Sequence, residues 1–313
     1  MATDTAASWR VLRLAARLPW NLCSDPLPER DLSRAVLDEA HVGGDQVKAE
    51  LLGVARLVAF ARERNARVRP PALLLAGPPG VGKTSVARAF ASAIRRPLVK
   101  IDLAGATAVT LSGSSEQYTD SSPGAILRAI DNAGVRDPVL LLDEVDKLAT
   151  SSWNGRCEDV LLGLLDGSDD GCFTDAFLGM SFDLTDVIWI ATANTPGAIS
   201  RPLVDRMRRI DLPPYSAAEL CAIAARRLVP DLLAELRLRP GEVTFTDAAL
   251  RLLVELAARD GGVRQLEAGL RQLLPAVIDE LVSDGALVVD PGFVSAALRP
   301  DPSRQPDLTG GYL

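Results

Sequence analysis

The chain has 313 residues, a formal net charge of −7 and a pI of about 5.0, with 48% hydrophobic and 24% charged residues. This is the balance of a soluble globular protein of one to three domains, and its acidity speaks against a general nucleic-acid binder. The single histidine, His41, and four scattered cysteines, Cys23, Cys157, Cys172 and Cys221, exclude His-rich metal chemistry and a disulfide framework, and predict buried thiols in a reducing compartment.

Residues Ala7 to Leu18 read as a short amphipathic helix, with Trp9, Leu12 and Ala16 at helical spacing. Arg10, Arg13 and Arg17 interrupt its apolar positions, which does not suit a secretory signal. No apolar run has the length of a membrane span. Pro19, Pro26 and Pro28 then break the chain. A helix is predicted from Asp45 to about Arg64, with Val47, Leu51, Val54, Leu57 and Val58 on one face.

Gly77-Pro78-Pro79-Gly80-Val81-Gly82-Lys83-Thr84 fits the phosphate-binding loop pattern G-x-x-x-x-G-K-[ST]. Its glycines let successive N–H groups converge on one anion. Lys83 is placed to reach the β- and γ-phosphates, and the Thr84 hydroxyl to hold Mg²⁺. The context agrees, because Pro71 to Ala76 reads as a buried strand and Ser85 to Ile94 as a helix, so the loop delivers phosphates to a helix N-terminus. A nucleotide's phosphates and Mg²⁺ are the expected ligands, held at Pro79, Gly80, Val81, Gly82, Lys83, Thr84 and Ser85.

A second strand is predicted at Leu98 to Leu103, followed by a polar loop from Ser112 to Ser122. Pro123 opens a helix that Gly134 closes. Pro138 to Glu144 is an apolar strand ending in two carboxylates. After a phosphate loop, Asp143 is the expected Mg²⁺ ligand and Glu144 the expected water-polarising base. Val187 to Asn194 is another buried strand ending in an amide, and Asn194 can hydrogen-bond the γ-phosphate or the attacking water. Arg201, Arg206, Arg208 and Arg209 follow, a cluster that is either a solvated face or a reach toward a neighbouring subunit's nucleotide. Beyond Pro213-Pro214 the pattern is nearly all helical. Ser216 to Glu219 forms a capping box, and Thr246 or Asp247 starts a helix stopped by Gly261-Gly262. Val263 to Val282 is a helix bent at Pro275, and Ala286 to Val289 is a short strand. Pro300 to Leu313 reads as a loose tail.

The chain resembles the AAA+ ATPase module of the Lon family. The similarity is carried by Leu18-Pro19-Trp20-Asn21, Leu37 to Gly43, Val47-Lys48, Gly77 to Val86, Leu141 to Lys147, Leu161 to Asp166 and Phe182-Asp183-Leu184. It continues through Ala191 to Asn194, Pro202 to Met207 and Gly262 to Glu267. The resemblance implies an α/β fold, an AAA+ P-loop NTPase with a five-stranded parallel sheet followed by a smaller helical lid. It places an N-terminal helix and linker at 1–35, the large ATPase domain at 36–212, the lid at 213–298 and a tail at 299–313.

It also implies that Asn194 is sensor 1, Arg206 the arginine finger and Arg264 sensor 2. His41 and Val42 fall where the family reads adenine, with Val42 in place of its usual tyrosine, and Tyr215 and Ile223 are further nucleotide-binding positions. Phe173 to Leu184 corresponds to the hairpin before the sensor 1 strand. Tyr118, in Glu116-Gln117-Tyr118-Thr119-Asp120, is the pore-loop candidate, and Trp153 is either a second pore aromatic or an ordinary loop residue. The implied assembly is a homo-oligomeric, hexameric ring in the cytoplasm, acting on a client protein and not on membranes. The expectation is an ATPase that remodels, unfolds or activates a partner without peptidase activity. A slow ATP-gated switch or scaffold is the alternative, and a nucleic-acid motor is a third reading disfavoured by the acidic pI.

Overall fold

The computed structural model describes residues 2–26, 30–115, 121–148, 156–166, 171–239, 241–257 and 262–298. The chain folds as two compact units, Met1–Pro78 with Gly82–Pro213, and Pro214–Leu313 with Pro79–Val81.

The first unit opens with α1, Ala2–Arg17. Its buried stripe is Leu14 and Leu18, joined by the partly buried Val11 and Ala15. Trp9 and Leu12, expected on the packed face, are 66% and 58% exposed, and Ala16 is exposed too. The stripe 11, 14, 15, 18 is the one with complete i, i+3, i+4, i+7 spacing, and it wins. The Leu-Pro-Trp-Asn word then acquires a structural meaning. Leu18 enters the core, and the Trp20 ring meets Phe182 at 5.1 Å between centroids while its Nε1 donates to the Ala15 carbonyl at 2.7 Å. Ser24 donates through N and Oγ to Asp137 Oδ1 at 2.7 and 2.9 Å. Asp137, almost fully buried, also pairs with Arg96 at 3.2 Å.

Helix α2 spans Arg30–Ala40 and α3 spans Asp45–Glu63. The first of these is absent from the sequence reading, which took its beginning for linker. Leu37 anchors it with no exposed surface. β1, Ala72–Ala76, precedes the phosphate-binding loop, and α4, Lys83–Ala93, follows it. β2 is Leu98–Asp102, and the short α5 is Ala108–Ser112, capped reciprocally by Thr107 and Thr110. α6, Ala125–Ala133, ends at Gly134, whose φ of 67° is the left-handed cap that glycine adopts without strain. β3 is Val139–Asp143 and α7 is Cys157–Leu165. β4, Cys172–Thr174, and β5, Ser181–Asp183, form an antiparallel hairpin with Phe173 opposite Phe182. β6 is Ile188–Ala193, α8 is Arg201–Val204 and β7 is Met207–Asp211.

The five long strands make one parallel sheet in the order β2-β3-β6-β1-β7. The three central strands are continuous apolar runs, almost wholly buried because both faces are covered. The edge strands read differently. β2 carries Lys100 and Asp102 outward, and β7 carries Arg208, Arg209 and Asp211. Charge on an edge suits solvent and discourages further strand pairing. The result is an α/β P-loop NTPase fold. Parallel strands present all their carboxyl ends on one side, where open α/β sheets bind ligands.

The second unit begins with α9, Ala217–Ile223, capped by Ser216 and Glu219 in the expected box. A π-helical turn, Ala224–Leu228, leads into α10, Val229–Glu235. Pro230 has no N–H to donate, and the wider turn lies directly before it. β8, Val243–Phe245, pairs in parallel with β9, Leu287–Val289, so the short strand near the C-terminus has a partner that periodicity did not reveal. Between them run α11, Asp247–Ala257, and α12, Val263–Asp284, which contains Pro275, and α13, Pro291–Ala297, closes the unit. Leu250, Leu253 and Val254 of α11 share a core with Leu266, Leu270 and Leu273 of α12. Each such side chain contributes about 1.5–3 kcal/mol when fully buried.

Of the cysteines, Cys157 is buried, and burial alone pushes its thiol up to about 11. Cys23 and Cys172 are exposed, contrary to the expectation of buried thiols. They lie in a segment after α1 and on the outer face of a hairpin strand, where hydropathy is a poor guide. Among the described residues, no helix is long and apolar enough to cross a membrane.

Candidate nucleotide site

Three strand ends converge at the carboxyl edge of the sheet. β1 runs into the glycine loop, held by hydrogen bonds from Gly77 N to Ala193 O at 3.2 Å and from Leu212 N to Ala76 O at 2.7 Å. A Cβ at Gly77 would stand 2.4 Å from the Leu212 carbonyl oxygen, so this position admits no side chain. Gly82 caps α4 at φ 81°, a left-handed conformation.

Lys83, 9% exposed, extends back along the loop. Its Nζ donates to Gly77 O at 2.7 Å, Pro78 O at 2.9 Å and Asn194 Oδ1 at 2.8 Å. Two residues placed only by motif and by strand end, 111 positions apart, are thus in direct contact. Thr84 and Ser85 occupy the first turn of α4, both partly buried.

At the end of β3, Asp143 Oδ1 accepts the Thr192 hydroxyl and Oδ2 pairs with Lys100 Nζ at 2.6 Å. Burial by itself would raise the Asp143 carboxyl. The hydrogen bonds from Lys100 and Thr192 and the positive charges of Lys100 and Lys83 outweigh it, so its pKa lies below the ordinary carboxylate value. Lys100 is raised in turn, chiefly by its hydrogen bond to Asp143.

Glu144 has φ 59° and ψ 48°, a left-handed backbone rare for a residue with a side chain. The strain is held by its N–H donating to Thr192 Oγ1 at 3.0 Å. Sparsely populated backbone conformations of this kind cluster at functional sites. Its carboxylate pairs with Lys147 Nζ at 2.8 Å.

Thr192, fully buried, therefore serves both acidic residues, and the sequence reading missed it. It stands near the end of β6, two residues before Asn194, which was the available signal. Asp146 was also missed. Its Oδ2 accepts the N–H groups of Asn194 and Thr195 at 3.0 and 2.8 Å, fixing the backbone that carries the amide. Its other oxygen is buried with no hydrogen-bond partner among the described residues.

The other predicted residues are spread over both units. Arg206, just before β7, donates from Nη1 to Pro202 O at 3.1 Å and from Nη2 to Asp166 Oδ2 at 3.0 Å. His41 is buried after the end of α2, where its carbonyl accepts Lys48 Nζ at 2.6 Å, and Val42 beside it is partly buried. Tyr215, Ile223 and Arg264 belong to the second unit. Tyr215 packs against the apolar core there, and burial pushes its hydroxyl up to about 12. Ile223 is buried near the end of α9, and Arg264 is exposed in the first turn of α12. Pro79, Gly80 and Val81 complete the loop, Gly80 with φ 82°. Tyr118 and Trp153 fall outside the described residues, as does the tail beyond 298.

A buried ammonium beside glycine-rich backbone, an ionised acid and a strained glutamate at the carboxyl edge of a parallel sheet can bind a polyphosphate and direct water at it. The comparisons agree. Residues 73–215 match the ATPase family associated with various cellular activities (AAA). The chain is a P-loop NTPase of the AAA class, an ATP-binding module.

It is 39% identical over 271 residues to Lon protease 4 of Sorangium cellulosum, spanning 86% of this chain and 33% of that protein. It is 39% identical over 299 residues to the Lon protease of Chloroflexus aurantiacus, spanning 92% and 36%, and 38% identical over 278 residues to Lon protease 2 of Thermus thermophilus, spanning 86% and 34%. The chain is an AAA module related to the Lon proteases. It spans about a third of the length of the curated relatives it matches.

Proposed function

We propose that this chain hydrolyses ATP with Mg²⁺ and uses the cycle to remodel, unfold or activate a partner protein, working as a ring of identical subunits. The observation that carries the reading is the joined cluster Lys83–Asn194 and Asp143–Thr192–Glu144, which puts a phosphate-binding cation beside the acids that hydrolysis needs. In this reading Lys83 neutralises the β- and γ-phosphates. Glu144 takes a proton from the attacking water, which Asn194 orients. Thr84 and Asp143 hold the metal. The donor set fits such an ion, since Asp143 already bears a cation, the Lys100 ammonium, at 2.6 Å. Magnesium there would neutralise charge developing on the phosphate oxygens. Arg206 serves the nucleotide of a neighbouring subunit, and Arg264, Tyr215, Ile223, His41 and Val42 complete the nucleotide's surroundings.

The proposal includes no peptidase activity.

A slower, switch-like ATPase is the second reading, favoured by the lysine pairing of both Asp143 and Glu144. The two readings part on turnover. Remodelling predicts that an unfolded polypeptide client stimulates ATP hydrolysis, and that a folded client loses its tertiary fluorescence only with ATP. A turnover that no client changes, with assembly that follows ATP binding, supports the switch.

Lys83→Ala tests the loop directly. Charge-assisted hydrogen bonds are worth about 1.5–3 kcal/mol, so ATP affinity is expected to fall tenfold or more by titration calorimetry. Unchanged affinity would remove Lys83 from phosphate binding.

A further inference from the structure

Lys100 has no role in the site as read so far, yet its ammonium is 2.6 Å from Asp143 Oδ2. It stands on the edge strand β2, in register one residue beyond Val99, which faces Leu140. The Lys100 side chain is 46% exposed and that of Asp143 14%. One partner is therefore anchored and the other can swing into solvent. Asp143 is fixed from its second oxygen by the buried Thr192 hydroxyl, and so keeps its orientation whether or not Lys100 stays. Around Lys100 lie the negative charges of Asp143, Asp102 and Glu144. Lys147 neutralises Glu144 in the same way.

We propose that Lys100 is a positioning residue, a resident counter-cation that keeps Asp143 compensated when no divalent ion is present and must leave it for the ion to be held. This deepens the reading of Asp143 as a metal ligand and rests on it. Two opposite effects follow. Lys100 competes with a divalent cation for one carboxylate oxygen, so it raises the ion concentration the site requires. It also screens the acidic edge from phosphates, so it assists nucleotide binding in the absence of metal. A purely structural lysine would produce neither.

The test uses the full chain and two binding measurements. Mn²⁺ is titrated with a non-hydrolysable ATP analogue and followed by electron paramagnetic resonance, and analogue binding is measured by calorimetry in EDTA. A part-exposed ion pair is a modest competitor. Lys100→Met is accordingly expected to lower the half-saturating Mn²⁺ about fivefold and to weaken binding in EDTA about fivefold. Lys100→Arg keeps the charge and is expected to behave as wild type in both. Lys100→Gln carries the same expectation as methionine should that variant unfold. A neutral variant needing as much Mn²⁺ as wild type, or more, overturns the inference whatever happens in EDTA. Asp143→Asn separates the layers. If it leaves Mn²⁺ binding unchanged, the metal-ligand reading itself fails. If it weakens binding while Lys100→Met changes nothing, only the role of Lys100 fails.

Discussion

Arg206→Ala is expected to bind ATP as wild type does and to lose about 10³-fold or more in turnover, the scale on which arginine fingers act. A planar guanidinium matches phosphate oxygens with two parallel donors, and no other side-chain cation does so equally well. Here the group rests on its own subunit, against Asp166 and the Pro202 carbonyl. The Arg206 and Asp166 side chains are 33% and 36% exposed. Pairs with that much solvent contribute about 0–1 kcal/mol, so the contact is cheap to exchange for a phosphate. If the finger serves a neighbour, specific activity rises with protein concentration until rings assemble. Mixing Arg206→Ala with Lys83→Ala then restores some turnover, because the first supplies an intact loop and the second an intact finger. Activity independent of concentration, with no rescue in rings shown to be mixed, would return Arg206 to a structural role in its own chain.

The second large effect belongs to Glu144. A positioned general base contributes about 10²- to 10⁴-fold, and Glu144→Gln is expected to lose turnover on that scale while ATP affinity persists. Glutamine keeps the shape and the backbone bond to Thr192, so the left-handed turn survives. It gives up the charge that polarises water, and with it the ion pair to Lys147. The variant should hold nucleotide and client together long enough for recovery on an affinity resin. Wild-type turnover in Glu144→Gln would assign the base to another residue.

Much of this architecture is legible in the residues. Leu73 to Leu75, Val139 to Leu142 and Ile188 to Ala191 are apolar runs too short for helices and bounded by polar turns. They are the strands whose both faces are covered. Other features were hidden for physical reasons. The buried face of α1 was misread because Trp9 is the largest apolar side chain in it, and size is not burial. α2 was missed because it follows directly on a proline-rich stretch that reads as linker. β8 has three residues and gains meaning only from β9, more than forty positions away, a pairing no local pattern encodes. In the site, the glycine loop, Asp143, Glu144 and Asn194 were marked by motif. Thr192, Asp146 and Lys100 were not, since their importance lies in which atoms they touch across strands.

The chain is built with 34 basic residues, and only four of them are lysines. Lys48 is shut in beside His41, with its side chain 3% exposed, while Lys83, Lys100 and Lys147 stand at the carboxyl edge of the sheet. Arginine supplies the positive charge nearly everywhere else, and its guanidinium does not acylate under conditions where an amine does. Side-chain amine chemistry on this protein, whether an acyl group, an isopeptide bond or a cross-linking reagent, therefore has few places to go. Its most exposed targets, Lys100 and Lys147, are the ammoniums that balance Asp143 and Glu144. A covalent mark on a lysine of this surface is at the same time a mark on the charge balance of the nucleotide site.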